Sequence, residues 1–203
     1  MREARQRTPQ GERSRRTRER VLDSTVRLIR EEGLSSASPI RITQHTGMSW
    51  GAVQHHFGSK EQLLRTIVLL SRDQFAQAVA GQDYAGLDLA GRIALYVESA
   101  WSHYQSDVFL ASVEITFWHR NNGRLLGEDI AGDEGRTSLL TRATVEAVFA
   151  GMGVPTDRLV EATAHMCCVL AGLAFNEIVS GGGVEFTRHL SHCKDAMLKI
   201  MQT

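Results

Sequence analysis

The sequence predicts an all-α fold, with an N-terminal three-helix domain of helix-turn-helix type and a C-terminal helical domain, about nine helices altogether. Three observations predict it. Apolar residues recur at helical spacing in segment after segment. Residues 41–60, RITQHTGMSWGAVQHHFGSK, read as two short helices around a tight turn. The last two segments carry more apolar surface than one small domain buries. The 203 residues, 42% of them hydrophobic and only three of them proline, suffice for one larger or two small folded domains. The expected division is a basic arm over 1–14, a helix-turn-helix domain over 15–65, and a second helical domain over 66–203.

Residues 1–14 mix Arg, Gln, Pro and Gly with almost no apolar side chains, so they are expected to be disordered in isolation. Arg13, Arg15, Arg16 and Arg18 then either reach phosphates and an adjacent minor groove or remain part of a solvated tail. From Arg16 to Glu32, Val21, Leu22, Thr25, Val26, Leu28 and Ile29 form a helical stripe that Gly33 ends. Ser35 to Pro39 is a short loop in which Ser38 caps the next helix and Pro39 occupies its first turn.

Gly47 stands where the chain leaves one short helix and must turn before the next, a place for positive φ without a Cβ penalty. Ser49 offers its hydroxyl to the free N–H groups of a second helix, Trp50 to Phe57. Ile42, Val53 and Phe57 are the expected inward anchors, which leaves Trp50, Gln54, His55 and Lys60 outside. A short helix held in this way, with donors and a wide ring facing solvent, suits a DNA major groove. Gly58-Ser59 stops it, and Ser59 caps the following helix.

Leu63, Leu64, Ile67, Val68, Leu70, Phe75 and Val79 mark a long helix to about Ala80, which Gly81 to Gly86 breaks. Further helices follow around Ile93–Tyr104, Val108–Trp118 and Ser138–Phe149, with a Gly-rich acidic loop over 121–135. After Pro155, the segment Thr156–Ser180 carries two seams. Leu159, Thr163, Met166, Leu170 and Leu173 form a bulky one; Val160, Ala164, Cys167, Ala171, Ala174 and Ile178 form a mostly small one. Gly181 to Gly183 ends that helix, and Phe186, Leu190, Cys193, Met197 and Ile200 repeat the pattern. The surplus suggests a four-helix bundle between two subunits, the alternative being an ordinary monomer core.

The string Thr43, Gly47, Met48-Ser49, Gly51, Val53, His55-His56-Phe57 and Lys60-Glu61-Gln62-Leu63-Leu64 resembles the TetR family of bacterial transcriptional regulators, from about Arg15 to Leu70. Trp50 and Gln54 stand where the family often has a polar residue and Tyr, and Ala52 replaces a frequent Thr. These positions face DNA in the family, so no operator sequence carries over. The resemblance implies a homodimer joined through its two C-terminal helices, a double-stranded DNA operator and a small-molecule effector pocket in the C-terminal domain. Two readers about 34 to 36 Å apart would require a palindromic operator.

Charge is distributed accordingly. The net charge is zero, yet residues 1–65 hold 13 Lys/Arg against 7 Asp/Glu, and the remainder carries the compensating acidity. That polarity suits a phosphate-facing head. No apolar run of membrane-helix length and no signal peptide are expected, which points to a cytoplasmic protein. Cys167, Cys168 and Cys193 form no disulfide framework and are expected to be reduced and buried.

The expected DNA contacts are Arg41, Thr43, Trp50, Gly51, Gln54, His55, His56 and Lys60, the alternative for His56 being to satisfy a backbone group. Gln54 suits adenine and Gly51 permits close backbone approach. Candidate effector contacts are Trp101, His103, Tyr104, Phe109, Glu114, Phe117, Trp118 and His119, with Asn176 as a further polar member; such an aromatic stripe also makes plain core. Glu114, between Val113 and Ile115, needs a partner, which a ligand, Arg120 or Arg124 would supply. His189, His192 and Cys193 share a helix face at metal-ligand spacing, as His165, Cys167 and Cys168 do more weakly, so a metal-responsive regulator is one alternative. Packing is the simpler reading, and no metal or cofactor is expected. A DNA-binding regulator without an effector is the other alternative. No phosphate loop, nucleophile elbow or paired acid motif is present in the sequence, and no enzymatic activity is expected.

Overall fold

The computed structural model describes residues 9–121, 142–180 and 185–203. The described residues form helices joined by short connections, with no strand among them. The chain forms α1 (Pro9–Glu32), a short 3-10 turn (Leu34–Ser36), α2 (Pro39–Thr46), α3 (Trp50–Phe57), α4 (Lys60–Ala80), α5 (Leu89–Tyr104) and α6 (Asp107–Asn121). Residues 142–148 form α7, followed by α8 (Thr156–Ser180) and α9 (Thr187–Gln202). The expected loop over 121–135 and the glycines at 181–183 fall almost wholly outside the described residues.

Local chemistry explains the reader. Ser38 accepts the Arg41 N–H, with Pro39 in the first turn of α2, and Gly47 ends that helix at φ 66°. Ser49 accepts the Ala52 N–H to start α3, and Ser59 accepts the Gln62 N–H to start α4. Three successive caps thus fix two turns with little loop between them. Ser49→Ala is expected to cost about 1 kcal/mol, read from the midpoint of urea unfolding; an unchanged midpoint would show that the cap contributes nothing.

Helix α1 begins earlier than the sequence suggests. Residues 9–14, expected to belong to a disordered arm, are helical. The ion pairs Glu12–Arg16 and Arg15–Glu19 run along its surface at i,i+4 spacing and support a helix with little apolar content. Arg18 turns inward instead, donating to the His56 carbonyl, with its guanidinium 4.4 Å from the centre of the Phe57 ring. It fastens α1 to α3.

Two cores result. The first gathers Val21, Leu28, Ile29, Ile42, Val53, Phe57, Leu63, Leu64 and Ile67, and it also takes in Val108, Ala111 and Ile115 from α6. The reader domain is therefore completed by a helix distant in sequence. The second core joins α5, α7, α8 and α9 around Tyr96, Trp101, Phe149, Met166, Leu170 and Met197. On α8 the bulky seam is buried from Leu159 to Leu170, whereas Val160, Ala164, Ala171 and Ile178 of the other seam are exposed.

By length and composition α8 is apolar enough to cross a membrane, contrary to the expectation that no such segment exists. Most of its apolar stretch is not buried. Phe175 and Val179, 57% and 70% exposed, extend the bare face.

Candidate nucleic-acid interface and cavity

The reader is built by anchoring one side of α3. Val53 and Phe57 are buried beside Ile42, and the opposite side presents Gly51, Gln54 and His55 to solvent. Nothing lies within 4 Å of where a Gly51 Cβ would stand, so the backbone there is open to approach. His56 is half-buried, and its carbonyl holds Arg18. Trp50 is also half-buried and packs on the reader core with Met48, so its ring is not wholly free for contact.

The flanking residues are partly engaged. Arg41 pairs with Glu32 and donates to Gln44 at 2.9 Å, and the Arg41 hydrogen bond holds the Glu32 carboxyl below the ordinary carboxylate range. Thr43 donates to the Ile40 carbonyl. Lys60 lies 5.8 Å from the centre of the Trp118 ring.

A cavity of about 610 Å3 opens between α4, α5, α6 and α8. Of the residues singled out in the sequence, His103, Tyr104, Phe109 and Phe117 line it. Others lie elsewhere. Trp101 packs edge-on against Phe186, with centroids 5.2 Å apart. Glu114 accepts the Leu34 N–H at 3.1 Å and sits 3.6 Å from Arg30, so the partner it needed is neither a ligand nor Arg120 but the junction after α1. Trp118 packs on the reader core, His119 is buried beside it with ring centroids 5.0 Å apart, and Asn176 is exposed and accepts from Ser180.

Sequence reading missed Ser71, Tyr96, Ser112 and Cys167 as cavity residues. Ser71 had a signal: it continues the buried stripe Leu64, Ile67, Val68, and a lone hydroxyl there needs a partner. Its partner is His103, whose Nε2 lies 3.3 Å away, while Ser112 lies 3.4 Å from Ser71 and donates to the Phe109 carbonyl at 2.7 Å.

Burial lowers the His103 pKa to about 4. Because the unfolded imidazole binds its proton more readily, stability should be complete above pH about 6.5 and fall by up to about 3 kcal/mol as pH drops toward 4. Urea unfolding of wild type and His103→Phe between pH 4 and 7 checks this, since the variant should lose that slope.

The proposed metal face does not converge. His189 and His192 are exposed while Cys193 is buried, and burial pushes the Cys193 thiol up to about 11. No group of three metal-ligating side chains occurs among the described residues. Cys168 is exposed, contrary to the expectation of buried thiols.

A capped, solvent-facing reader helix backed by a second helical domain defines a DNA-binding regulator of helix-turn-helix type. Residues 21–67 match the family described as bacterial regulatory proteins, tetR family. Over those residues the chain is similar to the TetR family of transcriptional regulators. It is 30% identical over 103 residues to the HTH-type transcriptional regulator BetI 2 of Chromohalobacter salexigens, an alignment covering 50% of each chain. It is 23% identical over 169 residues to BetI of Burkholderia ambifaria, covering 83% of this chain and 85% of that one. In fold it is similar to a TetR family transcription regulator from Marinobacter aquaeolei, with a TM-score of 0.64, 19% identity and coverage of 95% and 98%.

Proposed function

We propose that two copies of this chain bind a palindromic operator as a cytoplasmic repressor and are released when a small molecule enters the α4–α5–α6 cavity. The observation that carries this reading is the position of α4. The helix begins beside the reader at Lys60 and lines the cavity with Val68, Ser71 and Phe75. A molecule wedged against those residues would displace α4 and change the separation of two readers that must dock together. The cavity favours this reading over a regulator without an effector.

Dimerisation is supported by the bare face of α8. Val160, Phe175, Ile178 and Val179 are exposed large apolar residues that a second α8 would cover, giving a four-helix interface with α9. Contact with DNA is assigned to Gly51, Gln54 and His55 at base edges, with Arg41, Thr43, Trp50, His56 and Lys60 around them. Arg41 would exchange its Glu32 partner for phosphate.

Gln54→Ala is expected to weaken operator binding by about 1–3 kcal/mol and to relax specificity at one base position, with folding unchanged. Fluorescence anisotropy against the native and base-substituted promoter fragments checks it. Effector release is tested by titrating compounds that raise the melting temperature into the protein–promoter complex. If none of them changes promoter affinity, the coupling is wrong.

A further inference from the structure

Among the described residues, none of the buried side chains that line the cavity carries a lasting charge. His103 is neutral at physiological pH, and burial pushes the Tyr96, Tyr104 and Cys167 groups up, so all remain protonated and uncharged. The ionic members of the lining are Arg72, which is half-buried, and Asp73, which is exposed. A charged group drawn inside would lose its hydration and meet no buried counter-charge.

Nor do the rings form an open cage for a cation. Tyr104 and Phe109 tilt together with centroids 4.5 Å apart, Phe75 stands edge-on to Tyr104 at 6.2 Å, and His103 stands edge-on to Phe109 at 5.7 Å. They cover one another. Polar atoms from three walls do meet at one place, where Ser71 of α4, His103 of α5 and Ser112 of α6 form a chain of hydrogen-bonding groups. In the neutral imidazole one ring nitrogen donates and the other accepts. The node therefore suits a hydroxyl or a carbonyl.

We propose that this cavity takes an uncharged amphipathic molecule whose apolar body lies against the rings and whose single hydroxyl or carbonyl group bonds at the Ser71–His103–Ser112 node. Any consequence at DNA rests on the effector reading above; binding itself does not. The test uses three probes of equal chain length, decan-1-ol, decanoate and decyltrimethylammonium, titrated into the full-length protein by calorimetry below their aggregation thresholds. Decan-1-ol should bind about tenfold or more tightly than either charged probe. His103→Leu should weaken decan-1-ol about three- to tenfold, and Ser71→Ala, which removes only a hydroxyl, gives the same readout if the first variant does not fold. A charged probe binding as tightly as the alcohol, no binding of the alcohol, or wild-type affinity in the folded variants would each overturn the proposal. Decan-1-ol bound at the node without any change in promoter affinity would instead support it and count against the effector reading. Release of the promoter by a tightly bound charged probe would do the reverse.

Discussion

Phe175→Glu is expected to leave single chains that fold normally and bind the promoter about 10²–10⁴-fold more weakly than the wild type. Phe175 is 57% exposed on the bare face of α8, so the substitution disturbs no core in the isolated subunit. In a dimer it would bury a carboxylate against apolar residues of the partner, at a cost that exceeds any local gain. Losing the second reader removes the intramolecular advantage of two half-sites on one duplex. Sedimentation and anisotropy on one sample check both halves. A dimer that persists with full affinity would move the interface elsewhere.

The second large effect lies in the reader. Phe57→Ala is expected to destabilise the N-terminal core by about 3–5 kcal/mol and to abolish promoter binding. Phe57 is buried against the reader core, and its ring also carries the Arg18 guanidinium that fastens α1 to α3. Phe57→Leu should recover much of the stability by refilling the space, although it removes the ring under Arg18. Thermal unfolding of both variants separates the packing contribution from the cation contact. A melting point for Phe57→Ala equal to wild type would remove α3 from the core. Gln54→Ala is the contrasting change, since it should leave unfolding untouched and alter only DNA recognition.

What was legible in the sequence was local. Gly47, Ser38, Ser49 and Ser59 announce helix ends through backbone chemistry that acts over three or four residues, and the structure places α2, α3 and α4 at those ends. The apolar repeats likewise located the bulky, buried side of α8. What was not legible came from long-range pairing. Glu114 looked like a buried ligand contact because periodicity cannot reveal that Leu34, 80 residues away, presents an N–H to it. Arg18 looked like part of a phosphate-seeking arm, but the His56 carbonyl claims it from 38 residues further on.

The cavity was half legible for the same reason. Tyr104, Phe109 and Phe117 stand out as aromatic residues on two successive helices, yet the polar node depends on Ser71 from α4, which only tertiary packing brings to His103. Composition also misled in one respect. Read residue by residue, α8 has no unbroken apolar run of membrane-helix length, but small and sulfur-bearing residues make the helix as a whole apolar enough to span one. Its exposed seam is the physical reason that a second copy is proposed.

The claim on which the account depends is that matched readers dock on consecutive turns of one duplex. Selection of bound sequences from a random duplex pool by the full-length protein tests it most directly. The account predicts enrichment of an inverted repeat whose half-sites are centred about 10 base pairs, or a multiple of that, apart. Enrichment of a single unrepeated motif, or of nothing above the starting pool, would contradict it.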